Sequence, residues 1–454
     1  MSSVLDAPVA AEVAAPYRKL RCGRRKPDGI TKAQVAEHQR IRLFEAMTEL
    51  SAERGYSATT VEAVCSLAHV SKTHYYELFR PGQVHPKEAC FLGAYDYVVG
   101  HAVERIKNAY LGEDDPEVRL CRAFEQFAQE AAKQPQAARL VLLETLGAGR
   151  AAVDRMQRGR ALFEHLITAS LSEPSNDNAL SPTIARGIVG GVERVTRVHL
   201  LESRIDQLPA AAGELSAWVS SYRSTRRPTP GRARPAIARP KIRLHGSDDG
   251  IRIARATAAL ATAGGYARLT PAGICRLAQV SEETFGRCYE GPNAIEAAFL
   301  AAFDLLGAEA LVAAARASRG AAGWPEAVRD GIEALLGHIA GHPYLPRVAF
   351  IEIFVVGPSA IERRSRLLRK FAEVFTKRIP HEQRPSGLVA EAITGAIWAI
   401  VHDYVVHEKL SSLDELVDDA TYLALAPLIG AQEAAKTILA ATAEAASRPA
   451  KSRA

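Results

Sequence analysis

Thr59-Thr60-Val61-Glu62-Ala63-Val64-Cys65-Ser66-Leu67-Ala68-His69-Val70-Ser71-Lys72-Thr73-His74-Tyr75-Tyr76-Glu77-Leu78-Phe79, residues 59–79, reads as two short helices around a tight turn. Thr60 can cap the first helix, its hydroxyl accepting from an amide of the first turn. Glu62 sits in that turn, where the helix dipole favours a carboxylate. Val61, Val64 and Leu67 are spaced three apart and predict one apolar stripe. His69-Val70-Ser71 breaks the pattern, and Ser71 is placed to cap a second helix. Tyr75, Leu78 and Phe79 form the buried side of that helix and leave Lys72, Thr73, His74 and Tyr76 near its exposed start. A short helix, a turn and a second helix with donors at its N-terminal end form the helix-turn-helix device that reads a DNA major groove.

Around this stretch the same logic extends. Helix one is expected from about 32 to 54, striped by Ile41, Phe44, Met47 and Leu50 and ended by Gly55 as a left-handed cap. A long helix follows over about 87–111, with Phe91, Leu92, Tyr95, Val98 and Val99 inward. Further helices are expected over about 150–172, 182–204 and 209–223. Aromatics are sparse, strand-type alternation is almost absent, and the class is all-α.

Four pieces carry a family resemblance: Gly55-Tyr56-x-x-Thr59-Thr60-Val61, Ala68-x-Val70-Ser71, Tyr75-Tyr76-x-x-Phe79 and Lys87-Glu88-Ala89-Cys90-Phe91-Leu92. Together they resemble the TetR/AcrR-type transcriptional regulators. His69 stands where the family usually has Gly, and Pro81-Gly82-Gln83-Val84-His85 is a small insertion after the recognition helix. The resemblance implies a three-helix DNA-binding head on a helical-bundle body that dimerises and holds a small apolar effector. It also implies that Tyr76 meets the phosphate backbone.

The chain then repeats itself. Ile251, Ile253, Leu260, Gly265-Tyr266, Thr270, Ile274-Cys275, Leu277-Ala278 and Val280-Ser281 match positions 210 earlier. Glu296, Phe299, Leu300, Asp304, Arg347, Glu352, Gly357, Arg363 and Phe371 match at 208, and Gly395 answers Gly190 at 205. Similarity spread over both halves reads as a tandem duplication of the whole unit. The second head has changed where chemistry would happen: Lys72 becomes Glu282, Thr73 becomes Glu283 and Tyr76 becomes Gly286. Residues 71–80 carry Lys72 and Arg80 against Glu77, a net +1, whereas 281–290 carry Arg287 against Glu282, Glu283 and Glu290, a net −2. Paired carboxylates at a helix start suit the dipole and repel a phosphate. The expectation is a second head that keeps its fold and does not bind DNA in the ordinary way.

Charge places the contacts. The net charge of the 454 residues is +6, but residues 17–26 hold six basic side chains and 215–247 hold eight, with no acid in either, so the remainder is acidic at 6 − 14 = −8. Two basic arms on an acidic body mark a nucleic-acid binder with local contacts. The domains expected are a disordered basic arm over 1–31, a DNA-binding head over 32–85 and a body over 86–223. A basic Pro-rich linker follows over 224–249, then a degenerate head over 250–294, a second body over 295–440 and a disordered tail over 441–454. Arg24, Arg25 and Lys26 can reach phosphates or the minor groove beside a major-groove helix. The linker is either a second DNA-touching arm or a spacer.

The candidate DNA-binding residues are therefore Thr60, Ser71, Lys72, Thr73, His74, Tyr76, Arg24, Arg25 and Lys26. Lysine can bond guanine, threonine a phosphate or a thymine methyl, and histidine either. No Ser-His-Asp order, glycine-rich phosphate loop or paired catalytic carboxylates occur, so no enzyme and no cofactor are expected. The histidines at 101, 165, 199, 338, 402 and 407 show no ligand spacing, and no metal is expected. The six cysteines have no CxxC pairing and read as thiols in a reducing cytoplasm. The longest unbroken apolar runs fall short of the ~20 residues of a membrane span. Tyr95, Tyr97, Phe124, Trp398 and Tyr404 could line an effector cavity, but aromatics at helical spacing are more often core. The function expected is a cytoplasmic, ligand-responsive DNA-binding repressor whose partners are a double-stranded operator, a small apolar effector and no membrane. Its two bodies would pack as an intrachain pseudo-dimer, either alone or in a homodimer of chains. The alternative is a sensing or interaction module that no longer binds specific DNA.

Overall fold

The computed structural model describes residues 31–79, 84–113, 115–171, 180–223 and 248–447. Arg24, Arg25 and Lys26, the linker arginines from Arg226 to Arg243, and the insertion at 81–83 lie outside these residues. Every regular element among the described residues is helical. The chain forms two compact units, residues 1–105 and 106–454.

The first unit holds α1 (Lys32–Arg54), α2 (Val61–Ala68), α3 (Lys72–Leu78) and the beginning of α4 (Pro86–Leu111). Thr31 opens α1 in a reciprocal capping box with Gln34, and Gly55 closes it at φ 84°, where only a residue without Cβ is at ease. Leu43, Met47, Val64, Tyr75, Cys90 and Phe91 are fully buried in its core. The expected stripe of α2 is corrected: Val64, Cys65 and Ala68 are buried, while Leu67 is 41% exposed. Each three-residue step falls about 60° short of a full turn, so a run spaced by threes winds off the buried face. The second copy repeats the pattern, with Ile274, Cys275 and Ala278 buried and Leu277 52% exposed.

The second unit begins with a helical body: α5 (Pro116–Lys133), α6 (Pro135–Arg139), α7 (Arg150–Leu171), α8 (Pro182–Leu201) and α9 (Leu208–Ser220). A second three-helix head follows, α10 (Asp249–Gly264), α11 (Pro271–Ala278) and α12 (Glu282–Cys288). The second body comprises α13 (Ala294–Ala317), α14 (Trp324–Gly341), α15 (Leu345–Arg347), α16 (Ile353–Val356), α17 (Pro358–Thr376), α18 (Gly387–Val406), α19 (Leu416–Ile429) and α20 (Ala431–Ser447). The order of elements recurs down to a π-helical turn at Leu140–Glu144 and again at Val348–Glu352. The final helix runs on to Ser447, into the stretch expected to be a disordered tail from 441. Residues 439–447, Leu-Ala-Ala-Thr-Ala-Glu-Ala-Ala-Ser, are mostly alanine, the strongest helix former.

α13 and α18 are long and apolar enough to cross a membrane by length and composition, which a reading of unbroken runs passed over. Here part of their apolar surface meets other helices. Phe299, Phe303 and Leu306 of α13 are buried, and α18 lies along α8. That contact is close because glycines line it. A Cβ on Gly190 would come 2.1 Å from the Ala399 Cβ, and one on Gly395 would come 2.2 Å from the Arg194 Cβ. Beside it the Tyr222 hydroxyl donates to the Leu423 carbonyl at 2.8 Å, and the Tyr422 hydroxyl to the Tyr222 carbonyl at 3.3 Å. The two bodies thus pack face to face through α8 and α9 against α18 and α19.

Candidate nucleic-acid interface

In the first head Thr60 and Ser71 act as caps. Thr60 Oγ1 accepts from the Ala63 amide at 3.2 Å, and Ser71 Oγ accepts from the His74 amide at 3.2 Å. Between them His69 adopts the left-handed conformation, φ 50° and ψ 44°, and Gln279 does the same in the second head at φ 55°. Neither is glycine, and each turn is braced from helix one of its head. Arg42 Nη2 donates to the His69 carbonyl at 3.4 Å, and Arg252 Nη1 to the Gln279 carbonyl at 3.3 Å.

This scaffold leaves Ser71, Lys72, Thr73, His74 and Tyr76 all exposed on α3. Tyr75 is the anchor beneath them: its ring is fully buried and its hydroxyl donates to the Pro86 carbonyl at 3.1 Å. Burial drives its phenol well above the ordinary range. Tyr76 meets the Tyr75 ring edge-on at 5.5 Å and stays 46% exposed. His74 Nδ1 lies 2.8 Å from Ser71 Oγ, turning Nε2 outward towards Glu77, 4.0 Å away. Lys72 Nζ lies 3.1 Å from Glu62 Oε1, a partner that sequence reading had assigned only to the helix dipole. Beside the head, Lys87 sits 4.3 Å over the Tyr56 ring and donates to the Ser57 carbonyl. The surface is hydroxyl-rich, mixed in charge and able to offer N–H and O–H donors to phosphates and base edges.

The second head builds the same scaffold, with Thr270 accepting from the Gly273 amide, Pro271 in the first helical turn and Ser281 accepting from the Thr284 amide. Its exposed face is Glu282, Glu283 and Arg287, and a Cβ at Gly286 would meet nothing within 4 Å. It is joined to its body by Glu352, whose Oε2 accepts from the Tyr266 amide at 2.8 Å and whose Oε1 pairs with Arg347 at 3.0 Å.

Two other places concentrate chemistry. An apolar cavity of about 80 Å³ lies inside the second body, walled by Phe350, Phe371, Phe375, Ile393 and Trp398, with Arg378 at its edge. Trp398, one of the aromatics singled out from the sequence, stacks on Phe350 at 4.1 Å. Glu309, His338 and His342 bring one ligand-type atom each to within 4.8 Å of one another, a convergence the expectation of no metal did not foresee. The signal was the His338-x-x-x-His342 spacing at the end of α14, where the C-cap His342 follows His338 by about one turn. Glu309 also accepts from Arg255 Nη2 at 2.8 Å, and His342 Nδ1 accepts the Tyr344 and Leu345 amides at 3.1 Å. His342 Nε2 lies 3.5 Å from Glu309 Oε2. Glu309 ties α13 to α10 through Arg255, while Glu309 Oε2, His338 Nε2 and His342 Nε2 have no hydrogen-bond partner among the described residues.

No protein-family model and no curated protein matches the chain. Among solved structures it is similar to the fatty acid degradation regulator FadR from Bacillus halodurans, at 17% identity over 40% of this chain and 97% of that one, with a TM-score of 0.36. FadR from Bacillus subtilis, solved with stearoyl-CoA, is similar at 16% identity over the same shares, with a TM-score of 0.36. A TetR-like transcriptional regulator from Rhodococcus sp. RHA1 is similar at 20% identity over 39% of this chain and 93% of that one, with a TM-score of 0.33. At these identities and scores the likeness carries no functional conclusion.

Proposed function

We propose that this chain is a DNA-binding transcriptional regulator, a ligand-responsive repressor of the cytoplasm, that reads double-stranded DNA through α3. The observation that carries the reading is the contrast between two like scaffolds. One presents Lys72, Thr73, His74 and Tyr76 at its exposed helix start, the other Glu282, Glu283, Thr284 and Gly286 at the matching positions. Only the first offers its cationic and hydroxyl donors without a pair of carboxylates at the helix start to repel a phosphate backbone. The two halves are copies of one ancestral unit. Their bodies form a pseudo-dimer through α8 and α18, and the second head serves assembly.

The effector in this reading is a small apolar molecule in the cavity of the second body, with Arg378 available to an acidic end group. Its occupancy is read out as a loss of DNA affinity. A palindromic operator would require two intact heads about 34–36 Å apart, and hence two chains.

A gel shift with the DNA upstream of the chain's own gene tests the proposal. Lys72→Ala and Tyr76→Phe weaken the shift, and Glu282→Ala leaves it unchanged. Equal effects at Lys72 and Glu282, or no shift at any salt, would favour the sensing or interaction module. Light scattering with and without the operator counts the chains.

A further inference from the structure

The contact between the two bodies buries more positive charge than negative. Arg194, Arg197 and Arg364 are each more than nine-tenths buried, and Arg160 is 18% exposed. Two carboxylates answer them. Glu193 is shared, bonded to Arg160 and at 2.8 Å to Arg197. Glu391 takes Arg194 at 2.7 Å, and the half-exposed Arg369 besides. Arg194 completes its bonds on the Ser365 hydroxyl and carbonyl, at 2.8 and 3.0 Å.

Arg364 is left over. Its Nε has no hydrogen-bond partner, and no carboxylate reaches it within ion-pair distance among the described residues. Its guanidinium lies 5.0 Å from the Phe354 ring centroid and 5.2 Å from that of Trp398. Burial, and then Arg197, Arg194 and Arg160, act against its charge. A guanidinium nevertheless does not give up its proton in a protein, so the group must be compensated. Two ring faces offset only part of the cost of desolvating an ion.

Arg364, Arg194, Arg197 and Arg160 line one cavity of about 30 Å³ together with His402 and a single carboxylate, that of Glu193, which Arg160 and Arg197 already hold. Burial and the arginines keep His402 neutral, and a neutral imidazole still has an N–H to donate. A void of this size holds one or two water-sized particles, which excludes a nucleotide or a sugar phosphate. We propose that this cavity is a binding site for a small monovalent inorganic anion of chloride size, with Arg364 as its principal ligand, and that the anion fastens the two bodies together. The site is asymmetric. At the 205-residue offset, Glu193, Arg194 and Arg197 of α8 correspond to Trp398, Ala399 and His402 of α18. At the 208-residue offset, Arg364 corresponds to the buried Met156. One copy supplies most of the charge and the other the aromatic wall and Arg364, so neither body could build the site with a second copy of itself.

Met156 also supplies the control, since Arg364→Met puts at 364 the side chain that the first copy buries. Thermal unfolding of the full chain is measured at constant ionic strength as chloride replaces gluconate. The melting temperature of the unmodified chain is expected to rise by about 2–5 °C and level off, and that of Arg364→Met to show no chloride-specific rise. Crystals grown with bromide are expected to show anomalous scattering within hydrogen-bond distance of the Arg364 guanidinium. Equal melting temperatures in the two salts, a rise that survives Arg364→Met, or no bromide peak at Arg364 would each overturn the assignment. The bromide experiment decides the matter even where the variant fails to fold.

Discussion

Lys72 Nζ and Glu62 Oε1 lie 3.1 Å apart on the exposed surface of the first head, joining the start of α3 to the first turn of α2. The side chains are 55% and 77% exposed, so water and salt screen the pair and it contributes little to stability. Its consequence falls on DNA, because the lysine must leave Glu62 to meet a phosphate or a guanine, and the carboxylate stays behind near the backbone. Glu62→Gln is therefore expected to tighten DNA binding by about 2–5-fold. Lys72→Ala is expected to weaken it across all sequences and to lower the salt slope by about one. Titrations of operator and unrelated DNA at several salt concentrations check both.

The melting temperature is expected to fall on mild acidification because of His402. Burial, then Arg160, Arg364 and Arg197, lower its pKa to about 3. The unfolded chain takes up this proton near pH 6.5 and the folded chain does not. The stabilisation is thus complete above about pH 6.5 and is lost as the pH falls towards 3. At pH 5 the loss from this residue is about 2 kcal/mol. His338, also held low by burial, adds a loss of the same sign. Unfolding curves between pH 7.5 and 5 should flatten in His402→Gln while keeping the share due to His338.

Two glycine substitutions should move stability in opposite directions. Gly190→Ala sets a methyl 2.1 Å from the Ala399 Cβ, where two helix backbones would have to part, at a cost of about 1–3 kcal/mol. Gly286→Ala meets nothing within 4 Å inside a helix and should stabilise by about 0.5–1 kcal/mol. Denaturant unfolding of both variants measures the pair.

Filling the apolar cavity separates ligand response from DNA binding. Ile332 is 6% exposed and lines the cavity. Ile332→Phe should leave the gel shift intact in the absence of ligand. It should abolish any thermal stabilisation by apolar monocarboxylic acids, chosen as probes for the cationic edge at Arg378. A stabilisation that persists in this variant would place the ligand elsewhere.

What the order of residues alone determined is local. The caps at Thr60 and Ser71, the Thr270-Pro271 helix start, the bounds of α1 and the exposed start of α3 depend on residues a few positions apart. The inversion of charge from Lys72 to Glu282 was equally legible, because the internal repeat places one copy beside the other. Even so, helical spacing by threes turned Leu67 inward when it faces out, since a small angular error accumulates with each step. Only the tertiary structure decided which charges are buried. Glu193, Arg194 and Arg197 carry no mark in sequence of being buried, and they are buried on α8, along which α18 packs from about two hundred residues away. The dielectric around a side chain is set by whatever packs against it, and nothing within one turn of helix reports that. The unanswered charge of Arg364 is for the same reason invisible in sequence: it exists only as the difference between four guanidiniums around one cavity and the two carboxylates, Glu193 and Glu391, that pair with the other three.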